Sequence, residues 1–202
     1  FSRQAETGDA AKFGSLAGKV KANSDSNIIL MSDKADILAA GLKACADKKP
    51  LLYAATKDNI DAVAALAKEN GCAVAAKAAN LEELVALTEK LAAAGLKNIV
   101  IDSGARKARQ ALEDQIVIRS AALNKKFRPL GYPTIVFPCE MTNDTMKEAM
   151  LAVMFVAKYA GIIVLSDFQG ESLFPLLVAR LNIYTDPQRP LATKQGIYEI
   201  NT

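Results

Sequence analysis

At 202 residues the chain is long enough to bury the core of one large domain or two small ones. Half of it is hydrophobic, yet no apolar run reaches the roughly 18 residues of a membrane-spanning helix, so neither disorder nor a membrane span is expected. The net charge of +3 is spread over interleaved acids and bases, which argues against a nucleic-acid surface, and the lack of histidine excludes a Ser-His-Asp triad or a zinc-protease site.

The first residues, Phe1-Ser2-Arg3, read as the end of a strand in a segment cut from a longer protein. A helix from about Ala10 to Ala22 follows, capped by Asp9, with Phe13, Leu16, Ala17 and Val20 on one face. Strand Ile28–Met31 ends at Ser32-Asp33, and the next helix carries Ile37, Leu38, Gly41, Leu42 and Cys45 as an apolar stripe. Strand Leu51–Ala55 leads to a helix with Ile60, Val63, Ala64 and Ala67 inward, stopped at Asn70-Gly71. Cys72–Ala76 forms a short strand reaching Lys77, and Asn80 with Glu83 starts a helix striped by Leu81, Leu84, Val85, Thr88 and Leu91, ended by Gly95. Strand Asn98–Ile101 runs into Asp102-Ser103-Gly104 and a long helix to about Lys126. A turn-rich link, Phe127–Pro133, precedes strand Thr134–Phe137, which ends at Pro138-Cys139-Glu140. Thr142 or Asn143 caps a helix whose Met146, Met150, Val153, Met154 and Ala157 read as core. The continuous apolar run Ile162–Leu165 reads as a strand covered on both faces and stops at Ser166-Asp167. A helix around Leu173–Leu181, a Thr185-Asp186-Pro187 turn and a final strand Gly196–Ile200 complete the chain.

Strands alternate strictly with helices. With the strand that ends at Phe1 counted, this pattern is that of an α/β protein of the (β/α)8 TIM-barrel type, residues 1–202 forming one domain whose first strand is cut. No Gly-x-Gly-x-x-Gly or phosphate-loop motif follows any strand, which disfavours an open nucleotide-binding sheet.

Barrel chemistry sits at strand C-termini. Those ends offer Ser2-Arg3, Ser32-Asp33, Thr56-Lys57, Lys77, Asp102-Ser103, Cys139-Glu140 and Ser166-Asp167. Asp33, Asp102 and Asp167 would suit acid–base work or a ligand's amide edge, although Ser and Asp here serve equally as helix caps. Lys77 has the position of a Schiff-base lysine, with a salt bridge as its plainer role. Asp102-Ser103-Gly104-Ala105-Arg106-Lys107 resembles an anion cradle at a helix start. Cys45, Cys72 and Cys139 stand far apart in no metal spacing, which fits a reducing cytoplasm; Cys139 has no histidine to activate it. No catalytic constellation and no metal site emerge from the residues.

Several stretches carry a more specific signal: Tyr159-Ala-Gly-Ile-Ile-Val-Leu-Ser-Asp167, Asn182-Ile-Tyr-Thr-Asp-Pro-Gln-Arg-Pro190, Lys49-Pro-Leu-Leu-Tyr-Ala-Ala-Thr56, Ile118-Arg-Ser-Ala-Ala-Leu123, Phe127-Arg-Pro-Leu-Gly-Tyr-Pro133 and Gly196-Ile-Tyr198. Through them the chain resembles the large (gamma) subunit of the corrinoid iron–sulfur protein of the acetyl-CoA synthase/decarbonylase system. The resemblance implies the central TIM barrel of that subunit, with an Fe–S domain upstream holding a [4Fe–4S] cluster and a corrinoid-binding domain downstream. Both cofactors would then be ligated outside this segment.

It implies further a cytoplasmic methyl carrier of the reductive acetyl-CoA pathway. Such a carrier takes methyl from a methyl-tetrahydropterin by way of a methyltransferase and delivers it to acetyl-CoA synthase/CO dehydrogenase. It also pairs with a small subunit as a heterodimer. The segment itself would be non-catalytic scaffold with no cofactor-binding residue of the family in it; Asp33, Asp102, Ser103, Asn143 and Asp167 stand only as candidates at the barrel mouth. The lack of histidine fits a corrinoid held without a histidine on cobalt. The rival readings are a free-standing pterin-binding barrel methyltransferase using Asp102, Asn143 and Asp167, and a docking module without ligand.

Overall fold

The computed structural model describes residues 9–158 and 160–184. The strand expected to end at Phe1, the turn at Thr185-Asp186-Pro187 and the strand expected at Gly196–Ile200 lie outside them. In order, the elements are α1 (Ala10–Asn23), β1 (Ile29–Met31), α2 (Ala35–Cys45), β2 (Leu51–Ala55), α3 (Ile60–Asn70), β3 (Val74–Lys77), α4 (Leu81–Ala93), β4 (Ile99–Asp102), α5 (Ala108–Asn124), β5 (Ile135–Val136), α6 (Thr145–Ala157), β6 (Ile162–Ile163) and α7 (Gly170–Tyr184). Among the described residues no helix is long and apolar enough to cross a membrane.

Every strand pairing is parallel, and neighbours in space are neighbours in sequence. β1 to β4 form one sheet and β5 pairs with β6, while a bridge from Ile101 to Thr134 joins β4 to β5. The strand order never reverses, as it would in a doubly wound sheet.

Period-two alternation divides the side chains into two populations. Leu30, Leu52, Val74, Ala76, Ile99 and Ile101 pack outward against the helix layer. Leu51, Tyr53, Ala75, Val100, Ile135 and Phe137 form one inner cluster, joined by Ile29 and Met31 of β1 and by Ile162 and the adjacent Val164 of β6. The first and last strands therefore share an interior with the middle ones.

The helices follow their stripes where apolar residues occupy one side only. Ile37, Leu38, Gly41, Leu42 and Cys45 are all buried, and α1 comes so close that a Cβ on Gly41 would overlap the Phe13 ring. Asp9 caps α1, Asn80 caps α4, and Gly71 closes α3 in the left-handed conformation at φ +61°. Gln115 of α5 accepts a buried hydrogen bond from the Thr134 hydroxyl at 3.0 Å, fixing that helix over the start of β5.

Three expectations fail. The cap of α6 is Asp144, which accepts from the Lys147 amide at 3.0 Å; Thr142 serves the Asp144 amide instead, and Asn143 caps nothing. Two of the expected core methionines are not core: Met146 and Met150 are 71% and 66% exposed, whereas Met154 is partly buried against the cluster around Phe155, and α6 buries Glu148, Ala149, Ala152 and Phe155. This helix is apolar almost all round, so a period of 3.6 cannot say which side faces inward. β6 is only half-buried, because among the described residues no strand covers its second edge.

Phe155→Ala should destabilise the protein by about 3–5 kcal/mol, as a large ring lost from a closed core does. Met150→Gln should shift stability by no more than about 0.5 kcal/mol, as surface changes do. Urea unfolding of the two variants checks both values.

Candidate functional site

Continued to the strand C-termini, the inward alternation brings Met31, Tyr53, Lys77, Asp102 and Phe137 to one end of the array. There they meet two loop residues, Arg106 before α5 and Glu140 after β5. The cavity above them has a volume of about 350 Å3 and is walled by Ser32, Asp33, Tyr53, Lys77, Arg106 and Glu140. That is the lower end of the range for small-molecule sites.

Asp102 is the keystone and is 2% exposed. Its Oδ2 accepts from the Tyr53 hydroxyl at 2.6 Å and from Arg106 Nη2 at 2.9 Å. Its Oδ1 accepts from the Gly104 amide at 2.8 Å and from Arg106 Nη1 at 3.2 Å. Arg106 is thus bound in a fork, the geometry in which guanidinium and carboxylate interact most strongly. The same guanidinium donates to the Tyr53 oxygen, to Glu140 through Nε and to the Ala105 carbonyl, and it lies 4.4 Å above the Phe137 ring centre.

The turn that lets Arg106 fold back depends on Gly104. Its φ is +73°, and a Cβ there would collide with the Ala78 carbonyl.

The electrostatics fix these groups in one state. Burial, reinforced by the Asp102 charge, pushes the Tyr53 hydroxyl well above the usual phenol range, so it stays a donor. Burial opposes the Arg106 charge, but hydrogen bonding to Asp102 and the Asp102 charge outweigh it and the net shift is upward. Burial, with the Glu140 and Glu148 charges, raises the Cys139 thiol to about 11, so it is no thiolate nucleophile at neutral pH.

The sequence candidates separate. Asp33 and Lys77 do reach the mouth, where they form an ion pair at 3.6 Å, with the Lys77 ammonium 5.8 Å from the Tyr53 ring centre. Ser103 turns away and hydrogen-bonds Asp114 of α5. Asn143 is exposed, and Asp167 is exposed beside a different cleft walled by Leu165, Phe168 and Leu173. Neither Asp33 nor Asp102 caps a helix: the N-cap positions of α2 and α5 are Lys34 and Lys107, with no side-chain cap. The expected anion cradle is likewise filled from within, since Arg106 is spent on Asp102 and Glu140.

Sequence reasoning missed Tyr53 as a site residue, and it missed Glu148. The latter is a buried acid of α6 whose carboxylate accepts from both the amide and the hydroxyl of Ser166, each at 2.6 Å. Alternation alone could have found Tyr53, which shares a face with Leu51 as Asp102 does with Val100.

The donor set does not fit an iron–sulfur cluster. Cys45, Cys72 and Cys139 are each free and buried, and among the described residues no group of three or more acids, cysteines or histidines could hold a metal ion. A pterin would need an unclaimed carboxylate, and both Asp102 oxygens are taken.

Residues 3–202 match the family described as CO dehydrogenase/acetyl-CoA synthase delta subunit. The chain belongs to that family. It is 43% identical over 192 residues to the corrinoid/iron-sulfur protein large subunit of Moorella thermoacetica, covering 95% of this chain and 43% of that protein. It is 32% identical to the acetyl-CoA decarbonylase/synthase complex subunit gamma 1 of Methanosarcina mazei, over 98% of this chain and 44% of that one. The gamma subunit of Archaeoglobus fulgidus is 28% identical over the full chain and 45% of its own length. The chain therefore spans less than half the length of these relatives. The resemblance to the large (gamma) subunit read from short motifs holds along nearly the whole chain.

Asp102→Ala should cost about 3 kcal/mol, since it strands the Arg106 charge in a largely buried place. Tyr53→Phe, which removes one hydrogen-bond partner, should cost about 1–3 kcal/mol. The double variant should cost less than their sum, because both act on one network. A double-mutant cycle by chemical denaturation measures all three.

Proposed function

We propose that this chain is the central scaffold of a corrinoid iron–sulfur methyl carrier. The observation that carries the reading is a saturated mouth in a chain 43% identical to a corrinoid/iron-sulfur protein large subunit. A mouth whose carboxylate, guanidinium and phenol are all spent on one another supports a structural role. Catalysis needs groups that are free to change partner or protonation state.

The fold in this reading is a TIM barrel. The unreversed parallel order and the single interior shared by β1 and β6 support it. The corrinoid and the [4Fe–4S] cluster are held by parts of the protein other than residues 9–158 and 160–184, and when bound they supply the methyl-accepting cobalt and the electrons that keep it reduced. The barrel's own residues position these parts and do no bond-making. The carrier works in the cytoplasm, paired with a small subunit. It accepts methyl from a methyl-tetrahydropterin through a methyltransferase and passes it to acetyl-CoA synthase/CO dehydrogenase.

The pterin-methyltransferase rival draws no support from the geometry. Asn143 and Asp167 are exposed and do not line the mouth cavity, and both Asp102 oxygens are bound by Tyr53, Arg106 and the Gly104 amide.

The protein containing this chain, purified anaerobically, should show corrinoid absorption bands over a broad iron–sulfur shoulder. It should also take up labelled methyl from methyl-tetrahydropterin only when methyltransferase is added. A colourless protein that binds the pterin directly would overturn the proposal.

A further inference from the structure

The end of the array opposite the mouth carries a second cavity, of about 270 Å3, between α5 and the turn that enters β5. Gln115 of α5 lines it and is only 6% exposed. The carbonyl oxygen of that side chain accepts from the Thr134 hydroxyl at 3.0 Å. The amide nitrogen at its other end has no acceptor among the described residues and is not closed off from solvent, so it opens on the cavity. A buried amide donor is normally met by an acceptor, because giving up water without one is costly.

The other walls give the cavity a sign and a character. Arg119 of α5 and Lys158 at the end of α6 bring positive charge, and among the described residues no carboxylate lines it. Residues 115–134 hold Arg119, Lys125, Lys126 and Arg128 and no acid, so this stretch alone exceeds the net +3 of the whole chain. Charges of one sign around a recess with apolar walls concentrate ions of the other sign. Ile118, Leu130 and the Tyr132 ring supply the apolar surface, and the Arg128 guanidinium lies 5.5 Å from the centre of that ring.

We infer that this cavity binds a small organic monocarboxylate. Gln115 Nε2 and the Lys158 ammonium hold the carboxylate, and the apolar body of the ligand lies against Tyr132, Ile118 and Leu130. The volume is just below the range for drug-sized ligands, which limits the occupant to a short acyl acid or a single-ring acid. Its charge is limited by α6, whose C-cap is Lys158. The carbonyl end of a helix carries partial negative charge, which opposes a phosphate dianion more than a carboxylate. Lys158 offsets that end and enters no ion pair with the described residues. The site stands apart from the mouth and does not depend on the carrier reading.

The test is isothermal titration of the full-length, anaerobically purified protein with benzoate, butanoate and inorganic phosphate. Each carboxylate should saturate a single site with a Kd of about 1 mM or tighter, a range within reach of so few atoms. Phosphate should bind about tenfold more weakly or worse. Lys158→Met should weaken benzoate binding about tenfold or more by removing a charge-assisted bond, and Lys158→Arg should restore it. Lys158 is exposed, so both variants should keep the parent unfolding midpoint. Lys77→Gln, at the mouth, should leave the benzoate affinity unchanged.

No saturable binding of either carboxylate, or binding that Lys158→Met leaves intact, overturns the site. Phosphate bound as tightly as benzoate overturns the assignment to a carboxylate. Binding lost on Lys77→Gln puts the anion at the mouth and overturns the site as well.

Discussion

A carboxylate buried at the end of the strand array sets the terms for everything around it. Asp102 is removed from water, a state that costs several kcal/mol unless every oxygen lone pair is met. The chain meets them with a phenol from β2, a guanidinium from the loop before α5 and the amide of Gly104. Glu140 after β5 then holds the outer side of Arg106. Loops from different strand–helix units are thereby tied to one point, and their freedom to move independently is lost. A second buried acid repeats the device: Glu148 reaches from α6 to hold Ser166 at the end of β6.

A mouth built this way gives rigidity and little chemistry. The outer pair, Asp33 and Lys77, is more exposed and forms an ion pair at 3.6 Å. On the proposed reading, a stiff central piece would give the moving parts of a multidomain carrier fixed points of attachment. The saturated mouth and the family relationship fit together in this way. In the described mouth Asp102, Arg106 and Tyr53 are bound to one another and not left available for acid–base work.

Much of the fold was legible in the sequence for a simple reason. The strands are short apolar runs ended by polar residues, and helices such as α2 and α4 are apolar on one side only, so Ile37 to Cys45 and Leu84 to Leu91 fell where period 3.6 puts them. α6 defeated the same rule because methionines and valines surround it, and its buried side was marked by Glu148, which composition alone would send outward. The site was harder. Asp33, Asp102 and Lys77 were found from their places at strand ends, and the salt bridge of Lys77 with them, yet the network around Asp102 was not. Tyr53 looked like one more apolar strand residue, and Arg106 turns back through a left-handed glycine that no periodicity reports. Ser103, Asn143 and Asp167 shared the polar character of the true mouth residues but do not line the mouth cavity, a matter of loop geometry that local sequence does not encode.

The central claim is that the barrel positions and does not catalyse. It is tested most directly by the rate at which the intact, corrinoid-loaded protein is methylated when Lys77, the most reactive-looking group at the mouth, is changed to Gln. The account predicts an unchanged rate at an unchanged unfolding midpoint. A fall of about tenfold or more, equal to roughly 1.4 kcal/mol of barrier, with stability intact would contradict it and give the mouth a direct part in methyl transfer.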